Sequence, residues 1–392
     1  MSAIQITPNV FAVGVKDPEL RIFDIVMPTE FGTTYNAYLI KGEKVALIDT
    51  VKAGFTVDYL ANIEQIVPLR SVDYLIINHT EPDHSGSITE LLSRSPKLQL
   101  VCSGAALPFV KNVINGEAEI MTVKDDAVID LGGKQLIFKM MPYMHWPDTM
   151  MDYLPEDKIL FSCDGFAAHI CGESIWDNEE PRDLMHEFKY YYDAIMRPFS
   201  GYIRRNLPKL DALDIAMIGT SHGPILRKNP LQYIDLYKEW TADRVKTKRV
   251  IVFFASNYGN TKQLAEIIAR DLTNDGLVAE LVDLTICPAD MAREFIETSA
   301  GVVIGTPTFN GDAPKPVWDL VGLFPTVYSI GKKAAVFGSY GWGGEGAKLV
   351  ADRLSGMKLK LYPEPYRARL VPSDEELSEL SKFTAELAKF FG

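Results

Sequence analysis

Val72-Asp73-Tyr74-Leu75-Ile76-Ile77 runs directly into Asn78-His79-Thr80-Glu81-Pro82-Asp83-His84. The first half is a compact apolar run with the composition of a buried strand. The second half packs four potential metal ligands into six residues. A chain leaving a strand presents alternate side chains to one side, so His79, Glu81 and Asp83 can converge, with His84 adjacent. That density is unusual, because the whole 392-residue chain holds only six histidines. A single histidine after a strand is ordinarily a capping or core residue, and His186, inside an amphipathic stretch, fits that description. Two imidazoles beside two carboxylates do not, because without a cation they would leave desolvated charge uncompensated.

Outward from this loop, three further candidates sit in Gly- and Pro-punctuated segments that follow strands. They are His145 in Tyr143-Met144-His145-Trp146-Pro147-Asp148, Asp164 in Ser162-Cys163-Asp164-Gly165, and His222 in Gly219-Thr220-Ser221-His222-Gly223-Pro224. The spacing resembles the metallo-β-lactamase superfamily, whose zinc hydrolases carry a His-x-His-x-Asp-His loop. Here Glu81 stands where the second histidine of that pattern would be, adding a negative charge and a hard oxygen donor. The expected ligand set is His79, Glu81, Asp83, His84, His145, Asp164 and His222. Three carboxylates facing two divalent cations suit the +2/+3 cycling of iron better than a redox-silent zinc pair. The site therefore reads as a non-haem di-iron centre, with Asp164 best suited to offer one oxygen to each metal.

The surroundings divide into two grammars. Strand-like runs at Val10–Val15, Thr34–Leu39, Lys44–Ile48, Leu98–Cys102, Gln135–Met141, Lys158–Ser162 and Leu213–Ile218 are interspersed with helical periodicity at Val57–Ile66 and Arg182–Arg205. Strands in groups with interspersed helices predict an α+β layered domain. The polar segment Lys238–Lys248 reads as an exposed connection, and no histidine occurs beyond His222. From Arg249 the apolar runs Val250–Ala255, Ala279–Val282, Gly301–Gly305 and Lys333–Gly338 alternate with helical stretches Thr261–Asn274, Pro288–Ser299, Lys315–Gly322, Glu345–Leu354 and Asp374–Phe391. Such alternation predicts an open parallel sheet with helices on both faces.

Three loops of this second half carry binding chemistry. Ser256-Asn257-Tyr258-Gly259-Asn260-Thr261 joins a strand to a helix, and its hydroxyls and N–H groups at the helix start form an anion cradle. It has neither the lysine of a triphosphate loop nor the G-x-G-x-x-G of a dinucleotide site, so a monophosphate attached to something planar fits better. Pro307-Thr308-Phe309-Asn310-Gly311 and Ser339-Tyr340-Gly341-Trp342-Gly343-Gly344 follow the next strands. Both belong at the carboxyl edge of the sheet, where doubly wound folds bind ligands.

Composition narrows the partners. Lys+Arg is 40 against Asp+Glu 52, a formal charge of −12, which opposes binding to nucleic acid or an anionic membrane. No run approaches a membrane span, and the start reads as no secretory signal, so a cytoplasmic location is expected. Four scattered cysteines without a CxxC give no disulfide framework.

Taken together, the chain resembles the flavodiiron proteins (A-type flavoproteins) over essentially its full length. The resemblance rests on His-x-Glu-x-Asp-His at His79 to His84, the three later ligand segments, and the three loops of the second half. It implies a metallo-β-lactamase-like αββα sandwich over residues 1–248, followed by a flavodoxin-like doubly wound parallel sheet over 249–392. It implies FMN held by the Ser256–Thr261, Pro307–Gly311 and Ser339–Gly344 loops, and two non-haem irons. The implied activity is reduction of dioxygen to water, of nitric oxide to nitrous oxide, or both. A separate electron donor such as rubredoxin is implied, because no fused extension of that kind is matched. A head-to-tail homodimer, or a dimer of dimers, is implied as the way to bring flavin beside iron. His169 and Tyr191 are candidates for proton supply next to the metals. A zinc-dependent hydrolase fused to a flavodoxin domain is the competing expectation, opposed by Glu81 and by the redox domain itself.

Overall fold

The computed structural model describes residues 2–325, 327 and 329–392. Internal contacts divide the chain into Met1–Ala242 and Asp243–Gly392.

The first unit contains two facing sheets. One has seven strands, in the order Ile4–Thr7, Val10–Ala12, Tyr38–Lys41, Val45–Ile48, Tyr74–Ile77, Gln99–Ser103 and Glu119–Val123. Its first four strands pair antiparallel and the remainder parallel. The other sheet has five strands, Val128–Asp130, Gln135–Met140, Met150–Leu154, Ile159–Phe161 and Met217–Gly219. Strand periodicity explains the layering. Leu39, Leu47, Leu75 and Leu100 pack outward with helices Thr56–Glu64, Ile88–Arg94 and Leu107–Ile114. Their neighbours Ile40, Ile48, Ile76 and Val101 pack inward against Phe138, Met150, Leu154 and Phe161 of the second sheet. The outer face of that sheet buries Met151, Tyr153 and Leu160 against Leu184–Tyr191, Ser200–Asn206 and Pro230–Trp240. The result is helix, sheet, sheet, helix.

The second unit has one parallel sheet, in the order Val278–Asp283, Lys246–Phe254, Ser299–Pro307, Lys333–Tyr340, with Lys360–Leu361 and Tyr366–Arg369 both pairing to Lys333–Tyr340. Counting strands from the start of the unit, this is the 2-1-3-4-5 doubly wound order. Ile251, Phe253, Val302 and Ile304 face helices Ala289–Thr298, Lys315–Gly322 and Glu345–Gly356. Val250, Val252, Phe254 and Val303 face Asn260–Asn274 and Asp374–Phe391.

Several elements differ from the sequence expectation. Thr34–Leu39 is two strands, Thr33–Tyr35 and Tyr38–Lys41, in different sheets, and Val10–Val15 likewise divides into Val10–Ala12 and Val15–Asp17. The division falls where Gly14 passes Tyr35, so close that a Cβ would lie 2.3 Å from the Tyr35 carbonyl oxygen. Arg182–Arg205 is not one helix. After Leu184–Tyr191 the chain widens to a π turn, tightens over Arg197–Phe199 and restarts at Ser200. Pro198 supplies the reason: it lacks the N–H that the preceding turn would need. Leu213–Ile218 is strand only over Met217–Gly219, with Leu213 closing a turn onto Leu210. The Lys238–Lys248 segment is not a free connection: helix Pro230–Trp240 enters it and strand Lys246–Phe254 begins within it, its first three residues exposed.

Candidate metal centre and flavin cradle

Every candidate ligand follows a strand of the first unit. Strand Tyr74–Ile77 delivers Asn78, whose N–H donates to Asp49 Oδ1 at 2.8 Å. Thr80 then donates its N–H (2.9 Å) and its hydroxyl (2.8 Å) to Asp148 Oδ2. Pro82 opens the short helix Pro82–Ser85, which carries Asp83 and His84, and the His84 carbonyl accepts the Thr50 N–H and hydroxyl. His145 lies beyond Gln135–Met140, Asp164 beyond Ile159–Phe161 and His222 beyond Met217–Gly219.

The seven residues meet as two lobes. In the first, His145 Nε2 lies 3.0 Å from both Glu81 Oε2 and Asp164 Oδ2, and His79 Nε2 lies 3.3 Å from Glu81 Oε2 and 3.5 Å from Asp164 Oδ2. In the second, Asp83 Oδ2 is 3.3 Å from the Nε2 atoms of both His84 and His222, which are themselves 3.1 Å apart. Asp164 belongs to both. Its Oδ1 faces His84 at 3.5 Å and His222 at 3.9 Å, and it accepts the Ser221 hydroxyl.

The donor chemistry fits a pair of cations. All of the set but the partly exposed His145 is buried, and His79 Nε2, Glu81 Oε2 and both Asp83 oxygens have no hydrogen-bonding partner. Unpaired polar atoms at such depth are costly unless a ligand completes them. His222 Nδ1 lies 2.6 Å from the Thr34 carbonyl, which assigns a proton to that nitrogen and leaves the Nε2 lone pair for a metal. Burial alone would neutralise the whole cluster, but mutual pairing overrides it. His145 is pushed up to about 9 by Asp164 and Glu81, and His79 and His84 are also raised. Glu81, Asp83 and Asp164 are held below the ordinary carboxylate range by the imidazoles. Protons on imidazoles thus occupy the place that metal charge would take.

His169 and Tyr191 form a wall rather than part of the donor set. The His169 ring centroid is 4.8 Å from that of His222, and Tyr191 is 4.9 Å from His169. His169 Nδ1 meets the Thr33 hydroxyl at 2.9 Å, while its Nε2 and the Tyr191 hydroxyl are buried without partners. Trp146 stands edge-on to His79 at 6.2 Å. His186 is exposed, its N–H bonded to Asp183 at a helix start. Phe23, Asp49, Asp148 and Ser221 were not singled out by the sequence reading. Phe23 reaches the site from the hairpin Ile22–Phe23/Met27–Pro28, its ring 4.2 Å from His169. Asp148 had a local signal, being three residues after His145; Phe23 had none.

In the second unit, a cavity of about 250 Å³ opens at the carboxyl ends of the strands. Ser256, Asn257, Tyr258, Asn260, Thr261, Pro307 to Asn310 and Ser339 to Trp342 line it, joined by Leu370, which the sequence reading missed. Gly259, Gly311, Gly343 and Gly344 are not in its lining. Gly259 (φ +91°) and Gly344 (φ +95°) turn the chain into helices Asn260–Asn274 and Glu345–Gly356. The lining contains no lysine or arginine, so an anion there meets hydroxyls and N–H groups at a helix start. Tyr258 is 93% and Trp342 85% exposed, placing free aromatic faces at the rim.

Comparison with known proteins finds relatives for both halves of the chain. The family model described as ODP family beta lactamase matches residues 33–223, and the Flavodoxin model matches residues 252–382. Flavo-diiron protein FprA2 of Clostridium acetobutylicum is 42% identical, covering 99% of this chain and 100% of that one. The chain belongs to the flavodiiron family. An anaerobic nitric oxide reductase flavorubredoxin of Shigella dysenteriae is 32% identical across 99% of this chain and 82% of its own length. The solved rubredoxin oxygen:oxidoreductase of Desulfovibrio gigas superposes with a TM-score of 0.71 at 25% identity, covering 100% of this chain and 98% of that one. The flavodiiron architecture is the β-lactamase-like sandwich followed by the flavodoxin-like sheet described above, and its cofactors are FMN and a non-haem di-iron site. The chain is an oxidoreductase of this family. Among the described residues, no helix is long and apolar enough to cross a membrane.

Proposed function

We propose that this flavodiiron protein reduces dioxygen to water, nitric oxide to nitrous oxide, or both, taking electrons through FMN from a separate donor such as rubredoxin. The expected metal domain, residues 1–248, and FMN domain, residues 249–392, would correspond to the two units, whose division falls slightly earlier, between Ala242 and Asp243. His79, Glu81, His145 and Asp164 would hold one iron, and Asp83, His84, His222 and Asp164 the other. The observation that carries this reading is the Asp164 carboxylate, each of whose oxygens faces a different lobe. With both cofactors bound, a diferrous pair and a reduced flavin supply four electrons, enough for dioxygen plus four protons to give two waters, whereas two nitric oxide molecules need two electrons and two protons.

The chain's own side chains do the rest. Ser221 and the Thr34 carbonyl orient Asp164 and His222. Phe23 against His169 and Trp146 edge-on to His79 would limit the water beside the donors. His169 Nε2 and the Tyr191 hydroxyl, free of protein partners, are placed to hold protons beside the His222 lobe. The Ser256–Thr261 loop would take the FMN phosphate, with Tyr258, Phe309 and Trp342 at the ring. A head-to-tail homodimer, or a dimer of such dimers, would bring one chain's flavin to another chain's metals.

Anaerobic reconstitution followed by metal analysis and stopped-flow mixing tests this reading. Two irons and one FMN per chain, with flavin reoxidised by one or both gases, are expected. Zinc without iron, together with thioester hydrolysis, would establish the hydrolase instead.

A further inference from the structure

The outer nitrogens of the imidazole donors are held in different ways. His222 Nδ1 faces the Thr34 carbonyl oxygen at 2.6 Å, and His84 Nδ1 has no hydrogen-bonding partner. His79 Nδ1 faces a thiol: the Cys163 sulfur lies 3.2 Å away, and both residues are buried. This sulfur is not a further donor to the metals. It lies behind the ring, whose Nε2 looks the other way, to Glu81 at 3.3 Å and Asp164 at 3.5 Å, and it stands outside both donor groups. The backbone fixes its placement. Cys163 follows strand Ile159–Phe161 at φ +51°, a conformation that residues other than glycine adopt uncommonly. Its carbonyl accepts the Ser221 N–H at 3.0 Å, and the Ser221 hydroxyl is bonded to Asp164. One turn therefore presents Asp164 to the donor set and the thiol to the far side of His79, and Ser221 ties that turn to the segment carrying His222.

We propose that Cys163 is a positioning residue of the metal centre: its sulfur accepts the His79 Nδ1–H and so fixes the ring with the Nε2 lone pair turned to Glu81 and Asp164. The proposal rests on the reading of His79 as an iron ligand. An imidazole bound through Nε2 carries its proton on Nδ1, and the partner found there sets both the tautomer and the angle of the ring. The usual partner is a carboxylate, a backbone carbonyl or water, and a thiol sulfur is a weaker acceptor than any of these. Cys163 therefore orients His79 while adding less basicity to it than the Thr34 carbonyl adds to His222.

The test compares the wild type, Cys163→Ser and Cys163→Ala as full chains loaded with iron and FMN. Serine and alanine meet the same backbone requirement at φ +51°, so the strain is common to both and only the acceptor differs. With the histidine rings labelled with nitrogen-15, proton NMR of the reduced chain reads the ligand N–H groups directly. One N–H signal, protected from exchange in the wild type, should move in Cys163→Ser and exchange faster with water in Cys163→Ala, while the other ring N–H signals stay in place. Iron should leave Cys163→Ala for a chelator about tenfold faster than it leaves the wild type, and serine should recover most of that difference. Ring N–H signals that are unmoved in Cys163→Ser, or equal rates of iron loss from the serine and alanine variants, overturn the role of the sulfur. A wild type that takes up no iron overturns the di-iron reading and this role with it, and is told apart because the iron is then missing before any substitution is made. Should the alanine variant not fold, the N–H signal of Cys163→Ser decides alone.

Discussion

The two candidate sites of this chain are built on opposite plans. In the first unit the donors, all but His145 buried, are tied by charge and hydrogen bonds to elements far apart in sequence, as the loop residue Thr80 is to Asp148 and His222 to Thr34. In the second, the cradle is a shallow edge of three local loops whose main rings stand almost wholly in solvent. The first must organise its ligands before a metal arrives, because misplaced charge at that depth is expensive. The second can leave its aromatic faces free, since a planar ligand organises them by stacking. Substitutions should therefore propagate widely in the metal unit and remain local in the flavin unit.

The largest effect is expected at Asp164. Asp164→Asn removes the one charge that both lobes share, and even the outer partners of metal ligands are worth about 10–100-fold in affinity. Iron should fall from two per chain to one or none by elemental analysis, with gas-dependent flavin reoxidation lost while FMN content is unchanged. Loss of FMN together with iron would contradict the separation of the two plans.

The second effect is one of pH, and it separates metal-free from metal-loaded chain. His145 is raised to about 9 by its carboxylate partners, from about 6.5 in an unfolded chain. The raised group contributes stability that is complete below about 6.5 and disappears as pH rises through about 9. The metal-free chain should therefore unfold at lower urea as pH rises from neutrality to about 9. With iron in place of those protons the loss should vanish.

Asp148→Ala comes next. It strips two hydrogen bonds from Thr80 and leaves a buried N–H unsatisfied, a cost of about 1–3 kcal/mol. Iron retention against a chelator should drop about tenfold or more. Thr80→Val, which keeps the N–H bond, should show a smaller loss.

These residues also show how far the sequence could be read. The candidate donors that the structure gathers were legible because each interrupts a strand-end turn with a group that has no apolar role, as His145 and Asp164 do. Both sheets of the first unit were legible as strands, but not the crossing at Gly14 and Tyr35, which depends on two segments meeting in space. The helix over Arg182–Arg205 looked continuous because its apolar period continues across Pro198, where the backbone does not. Phe23 and Asp49 escaped for a related reason: each acts on residues more than twenty positions away, and nothing in its own neighbourhood marks it. The loops lining the second unit's cavity, whose partners are local, were legible almost residue by residue as its lining, apart from Leu370 and the glycines that only turn the chain.

The smallest effect is expected at Gly259, and it tests the local plan directly. Gly259 adopts φ +91° as the chain enters helix Asn260–Asn274, and a Cβ there would meet nothing within 4 Å. Gly259→Ala therefore costs conformational strain alone, about 1–2 kcal/mol for a left-handed non-glycine residue. That strain falls on the turn aiming N–H groups at the phosphate, so FMN affinity should fall about tenfold by fluorescence titration. Iron content should be unchanged, and the unfolding of the metal unit should not shift. An alanine that left FMN affinity untouched would mean that the turn relaxes freely, and that phosphate binding rests on the Ser256 and Thr261 hydroxyls rather than on the shape of the backbone.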